Sequence, residues 1–446
     1  METVETHQQT TLNYNVEPID SLHGEIEIPG DKSISHRALI LSSIAEGSSH
    51  ITGFLEGDDC LATLRALTAM GVRIEGPFDG GVVIVHGVKK NGLVPPSVAL
   101  DLANSETTLR LLTGLLAGAE IGAELTGDPF LLTRHIDRVV LALRKMGAQI
   151  TLSADDTAPL TVHPQHPLSG IHYDIPIASS QVKSSMLLAG LFAKGETIIT
   201  EPVQTRDHTE RMLQSFGYRV EKHDTSLKIN NEGRLIACHI HVPGDLSSAA
   251  FFMVGASIAK QADLLLKRVG INSTRLGVIN ILRAMGADIE IIKPHMIGAE
   301  PVADIRVKQA RLKGINIPQE WVISAVDEFP AIFIAAACAE GQTTLTGALQ
   351  LRSREQRRIQ VMAKQLTALG ISAHPTADGL CIEGGDIQGG VVNTAGDHRI
   401  AMAFAMASTR ANKEINIIDC SLVSKSFPNF VPLANQAGMK IQTYES

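Results

Sequence analysis

Little of this chain is aromatic: Phe, Trp and Tyr make up 4% of its 446 residues, against an apolar share of 44%. Its core must therefore be built from Ala, Leu, Ile and Val, which suits a layered α/β protein. A surplus of positive charge is missing too. The net charge is −8 and the isoelectric point near 6.1. That leaves no broad basic footprint for nucleic acid or an acidic membrane, so cationic residues should act locally, in a cleft. No stretch approaches the roughly 18 uninterrupted apolar residues of a membrane span; the nearest, Ala331 to Ala339, is only core-sized. Met1 to Tyr14 is polar and acidic with no apolar centre, so no secretory leader is expected. The five cysteines (Cys60, Cys238, Cys338, Cys381 and Cys420) are odd in number, scattered and without a Cys-x-x-Cys pair. Cys238, Cys338 and Cys381 fall in apolar runs and are expected to be buried thiols in a reducing compartment. The sixteen histidines are dispersed and no two stand at ligand spacing, so neither a metal nor a cofactor is expected. A soluble cytoplasmic protein is the consistent reading.

What the chain does have is a repeat. Six times an amphipathic helical pattern runs into a glycine and then into an alternating apolar strand, at Gly71, Gly147, Gly217, Gly286, Gly370 and Gly438. Glycine just past a helix end takes the left-handed conformation that closes the last turn. The intervals of 76, 70, 69, 84 and 68 residues describe one structural unit used six times. Three such units make a domain of ordinary size, and the length alone argues for two domains. The natural cut lies near Pro243-Gly244-Asp245, which echoes Pro29-Gly30-Asp31; Thr126-Gly127-Asp128 is a weaker echo. The two Pro-Gly-Asp turns read as a hinge pair. They give one domain over 31–243 and a second over 1–30 plus 244–446, with the strand before Pro29 in the C-terminal half.

The densest chemistry lies in Gly30-Asp31-Lys32-Ser33-Ile34-Ser35-His36-Arg37. Pro29-Gly30 stops a strand, Asp31 or Ser33 can cap the helix that follows, and Lys32 and Ser33 then converge with free N–H groups on an anion-sized spot. With Ala178-Ser179-Ser180-Gln181-Val182-Lys183-Ser184, Thr205-Arg206-Asp207-His208-Thr209-Glu210, Asp327-Glu328-Phe329-Pro330, Leu351-Arg352 followed by Glu355 and Arg358, and Gly396-Asp397-His398-Arg399, this segment resembles the enolpyruvyl transferase family, and within it the EPSP synthases. The likeness runs from about residue 15 to the end of the chain. It implies an α/β fold of two similar hinged domains, each of three βαβαββ units (an inside-out α/β barrel), with the active site between them.

The resemblance also implies transfer of the enolpyruvyl group of phosphoenolpyruvate to the 5-hydroxyl of shikimate 3-phosphate, with release of phosphate, in aromatic amino acid biosynthesis. The enzyme would act as a monomer, without nucleic acid, membrane, metal or cofactor. Arg37, Ser179, Ser180, Gln181 and Arg206 would hold shikimate 3-phosphate. Lys32, Arg134, Arg358, Arg399 and Lys425 would hold phosphoenolpyruvate, and Ser33, Asn104, Asp327 and Arg354 would be further substrate-binding residues. Asp327 and Glu355 would exchange the protons, with Lys32 as a point charge at the reacting phosphate. Arg suits bidentate capture of carboxylate or phosphate, and Lys suits a point charge.

Several positions depart from the family pattern. Arg354 stands where Lys is usual, His135 follows Arg134 where Pro is usual, and Arg357 replaces an acidic residue. Glu106 in Asn104-Ser105-Glu106-Thr107 replaces a small residue, in what reads as a loop before a helix at Leu109 to Leu116. A carboxylate there is expected either to repel the donor phosphate or to pair with Arg134. It should also lower sensitivity to glyphosate, which by the resemblance shares the donor's place. These departures leave two rival readings open: a divergent paralogue acting on a related cyclic acceptor, and a catalytically silent binding homologue.

Overall fold

The computed structural model describes residues 11–164, 167–347 and 353–446, with the side chains of 353–355 outside the description. Among these residues six sheets form on one plan. In the first, His239–His241 lies parallel to Glu46–Thr52, which pairs antiparallel with Val82–Val88 and that in turn with Arg73–Phe78. The same sequence of one parallel and two antiparallel neighbours recurs in the second sheet, formed by Leu100–Asp101, Ala123–Thr126, Leu160–Val162 and Ile150–Thr151. It recurs again in the third, formed by His172–Asp174, Thr197–Thr200, Ser226–Ile229 and Glu221–His223.

The other half repeats the plan. Ser21–Glu27 lies parallel to Gln261–Gly270, which pairs with Glu300–Lys308 and then Asp288–Ile297. Gly390–Asn393 lies parallel to Ile415–Ile418, followed by Leu12–Val16 and Ile441–Glu445. The sixth sheet has three strands, Gln342–Leu345, Gly379–Glu383 and Ser372–Thr376; in place of a fourth, an isolated parallel bridge joins Asn316 to Thr344. Register follows burial. In Leu12–Val16, Tyr14 and Val16 face inward, and Val16 stands opposite the buried Ile415 and Ile441.

The six joint glycines all have positive φ, from +76° at Gly217 to +109° at Gly438, as a left-handed helix stop requires. Each unit also supplies one helix to the interior of its half. Leu246–Ile258 and Phe329–Ala337 are buried along their whole length. Their sequences show why: they are apolar on every face, so no side favours water. His398–Ala407 packs against both. In the other half Glu106–Gly118 packs against Lys32–Ser43 and Ser180–Gly190, with Gly114 admitting the Ser185 backbone where a Cβ would lie 2.2 Å from its carbonyl oxygen.

Buried apolar side chains fall into two clusters. One runs from Ile34 to Val242; the other joins Tyr14 to Ile28 with Leu246 to Ile441. The chain passes between them twice, and the two crossing segments pair with each other. The Asp31 N–H donates to the Pro243 carbonyl at 2.8 Å and the Asp245 N–H to the Pro29 carbonyl at 2.9 Å.

Two local expectations are corrected. Cys60 and Cys420 are the buried cysteines, whereas Cys238, Cys338 and Cys381 are partly exposed. Cys60 lies on the inward face of the helix Asp58–Ala69; Cys238 and Cys338 stand at the ends of their elements, and Cys381 points to the opposite face from the buried Leu380 and Ile382 in the strand Gly379–Glu383. Glu106 does not belong to a loop: it is the first residue of the helix Glu106–Gly118, because the Ser105 hydroxyl caps that helix one turn before the apolar run, accepting from the Thr108 N–H at 3.2 Å. All five cysteines are free. Among the described residues no helix is long and apolar enough to cross a membrane, and no three His, Cys, Asp or Glu side chains cluster as a metal site would need.

Candidate active site

All six interior helices begin at one cleft between the two clusters, a cavity of about 1090 Å³. Its lining includes Lys32 and Ser33, Asn104 and Glu106, Ser179, Ser180 and Gln181, Ser247 and Ser248, Asp327, and Asp397 with His398 and Arg399. Each helix start brings unpaired N–H groups and the positive end of its dipole. Five carry side-chain caps, from Asp31, Ser105, Ser179, Asp245 and Asp397. The sixth starts at Glu328 with Pro330 in its first turn.

Of the residues singled out in the sequence, Lys32, Ser33, Arg37, Asn104, Ser179, Ser180, Gln181, Arg206, Asp327, Arg399 and Lys425 line this cleft. Arg134 and Arg358 stand behind its wall. Arg354 and Glu355 lie in the first turn of the helix Ser353–Ala368, and their side chains fall outside the described residues.

Nearly every cation here is met by a carboxylate. Lys32 pairs with Asp59, and Lys425 faces Asp128 at 3.6 Å. Arg358 donates to Asp397 at 2.5 Å, and Arg134 meets Glu106 at 3.1 Å. Asp327 serves three guanidiniums: it pairs with Arg206, and its Oδ1 lies 3.5 Å from Arg399 and 3.9 Å from Arg358. Two of these pairs tie one half to the other, since Arg206 and Asp128 stand in the first half while Asp327 and Lys425 stand in the second. Arg37 is the exception. It is buried, and its three nitrogens donate to Thr209, Ser33 and Ser184 at 2.7 to 2.9 Å. Burial pushes its pKa down to about 10, so it remains charged at neutral pH.

Two buried networks that sequence reasoning did not assign hold this arrangement in place. Lys183, 1% exposed, bridges Glu201 at 2.9 Å and Glu210 at 2.8 Å. Glu201 also accepts from the Thr205 hydroxyl, which fixes the backbone beside Arg206. Burial first of all pushes the Glu210 carboxyl up, although Lys183 opposes this. At the crossing segments Arg275 pairs with Asp31, with Asp245 at 3.2 Å and with Glu328 at 3.6 Å, and donates to Ser247. Burial works against an ionised Asp31, yet Arg275 and His208 outweigh it and hold the carboxyl well below its usual range. Asp245 moves the other way, raised by burial and then by the Asp31 charge. A signal for this hub was present in the echo of Pro29-Gly30-Asp31 at Pro243-Gly244-Asp245; nothing in the spacing pointed to Arg275.

The arrangement can hold multiply anionic ligands between two bodies, with one carboxylate, Asp327, ringed by cations at the centre. Comparison with known proteins agrees with this chemistry. Residues 16–433 match the family described as EPSP synthase (3-phosphoshikimate 1-carboxyvinyltransferase). Curated proteins named 3-phosphoshikimate 1-carboxyvinyltransferase are similar over nearly their whole length. That of Methylococcus capsulatus is 55% identical, with 95% of this chain and 97% of the relative covered; that of Nitrosococcus oceani is 55% identical, with 99% of each covered. Among solved structures, EPSP synthase from Acinetobacter baumannii superposes with a TM-score of 0.88 at 49% identity, covering 97% of this chain and 100% of that one.

Proposed function

The chain belongs to the EPSP synthase family, and from that premise we propose that its cleft transfers the enolpyruvyl group of phosphoenolpyruvate to the 5-hydroxyl of shikimate 3-phosphate, releasing phosphate. This makes it a transferase of the shikimate pathway, in aromatic amino acid biosynthesis. The observation that carries the reading is the convergence of six helix starts, with Lys32, Arg206, Arg399 and Lys425, on one cleft between two bodies. Two polyanions need that density of donors, and they need it closed from both sides. We divide the bodies at 31–243 and 1–30 plus 244–446 and assign the protein to the cytoplasm as a monomer.

The reaction requires a base as the 5-hydroxyl attacks C2 of the donor and an acid that delivers a proton to C3. The same groups then reverse roles as the tetrahedral adduct expels phosphate. Asp327 and Glu355 carry these protons in our reading. Asp327 suits the role because it lies at the cleft's centre, within reach of both bodies. Lys32 stabilises charge on the donor phosphate; Arg399 and Lys425 bind the donor, and Arg358, behind the wall, adds its charge from beside Asp397. Ser179, Ser180, Gln181 and Arg206 bind the acceptor, with Arg37 holding Ser33 and Ser184 in register beneath it. Phosphate release from phosphoenolpyruvate, measured with and without shikimate 3-phosphate, tests the reading. Acceptor-dependent release is expected, and its absence at saturating concentrations of both substrates refutes it.

A further inference from the structure

One carboxylate in this cleft stands where an anion should bind. Glu106 lines the cleft as the first residue of a 13-residue helix. Its Oε2 accepts from Arg110 Nη1 at 2.9 Å, and its Oε1 lies 3.1 Å from Arg134 Nε. Arg110 reaches on to the His135 carbonyl at 3.0 Å. Arg134 lies over Phe130, its guanidinium carbon 3.9 Å from the ring centroid, and is not part of the cleft lining. A helix start flanked by two guanidiniums is apparatus suited to an incoming phosphate or carboxylate. In this chain a side chain of the protein already occupies it.

We propose that Glu106 is a built-in anion that fills part of the donor's phosphate subsite, holds Arg134 back against Phe130 and so sets the affinity for phosphoenolpyruvate. The inference rests on the enolpyruvyl transfer reading of the cleft. Glu106 determines specificity and takes no part in proton transfer. An incoming dianion must either draw Arg134 away from Glu106 or bind beside a like charge, and both weaken it. The acceptor groups (Ser179, Ser180, Gln181 and Arg206) stand on other elements, so the effect should fall on the donor alone.

Glu106→Gln keeps the shape and a hydrogen-bond acceptor for Arg110 but removes the charge; Glu106→Gly removes the side chain. In steady-state phosphate release both variants should lower the donor KM by about ten-fold, the scale of one partly buried ion pair. The acceptor KM, which also reports a correctly folded cleft, should stay within about two-fold of the parent value. Calorimetric titration of inorganic phosphate in the presence of shikimate 3-phosphate should tighten in parallel. A donor KM and phosphate affinity left unchanged in both variants overturn the proposal, as does a loss of donor affinity in both, since Glu106 would then be helping Arg134 to bind. If parent and variants alike release no phosphate, the functional reading fails instead, and the phosphate titration still decides the role of Glu106.

Discussion

Replacing Asp327 by Asn separates chemistry from binding more cleanly than any other change in the cleft. The carboxylate pairs with Arg206, has Arg399 and Arg358 at 3.5 and 3.9 Å, and its backbone carbonyl accepts from Arg399 at 2.8 Å. Asn keeps the size and that carbonyl but removes the charge and the proton-accepting oxygen. If Asp327 moves a proton, kcat should fall by about 10²–10⁴, equivalent to roughly 2.7–5.5 kcal/mol. Binding should respond differently. At about 4 Å and an effective dielectric near 20, each charge pair is worth about 4 kcal/mol before screening, so three guanidiniums that lose their shared carboxylate become better anion hosts. Shikimate 3-phosphate affinity should therefore rise, or drop by less than about ten-fold through the lost hydroxyl contact. The only tryptophan, Trp321, lies between the cleft-lining Glu320 and Val322, so its fluorescence on titration with shikimate 3-phosphate is the readout of acceptor binding without turnover. A kcat within about three-fold of the parent value refutes the proton-transfer role. Acceptor affinity lost by more than about a hundred-fold would make Asp327 a binding group instead.

Three further changes test the frame of the site. Lys183→Met leaves Glu201 and Glu210 buried without their cation, and should lower stability by about 3–5 kcal/mol in urea unfolding; a loss under about 1 kcal/mol contradicts the network's role. Gly30→Ala would set a Cβ 1.9 Å from the Gly53 carbonyl oxygen. Because that contact is backbone at a crossing segment, it should lower both Tm and turnover, and a parent-like Tm refutes the crowding argument. His36 donates or accepts at Thr63 over 2.7 Å and is buried; burial, then Lys32 and Arg37, hold its pKa well below 6.5. Its contribution to stability is therefore complete above about pH 6.5, where both states are neutral, and is lost as pH falls toward the folded pKa, by at most about 1.4 kcal/mol per pH unit. His36→Gln should remove one proton's worth of that acid slope, and an unchanged slope refutes the assignment.

The fold was legible because its punctuation is periodic. A glycine that must take positive φ marks each helix end, and its recurrence about every 70 residues shows in the sequence without any knowledge of packing. The cysteines were misread because an apolar run fixes how deep a segment lies but not the facing of one residue near its end. Cys338 closes a buried helix yet faces partly outward, whereas Cys60 sits in the first turn of its helix, directly after Asp58 and Asp59, and is buried. The start of the Glu106 helix was set too late because the apolar run was weighed above Ser105, whose cap begins the helix a turn earlier.

The cations of the site were legible, as were Asp327 and Glu106, but the carboxylates that meet Lys32 and Lys425 were not, for a physical reason. A cation beside a helix start carries its own signature in the glycine, serine and proline around it. A carboxylate such as Asp59 or Asp128 gains its meaning only from a partner far along the chain, 27 residues away for Lys32 with Asp59 and on the other body for Lys425 with Asp128. Yet those carboxylates explain how an acidic protein keeps a strongly cationic cleft. Unpaired, the clustered guanidiniums and ammoniums would repel one another across the gap and resist closure. Paired, they hold the two halves together through Arg206 with Asp327 and Lys425 with Asp128, and in the proposed reaction would exchange those partners for substrate oxygens. On that logic a substrate is recognised by how completely it replaces internal carboxylates. An additional one, at Glu106, raises the charge that a donor must bring in order to bind.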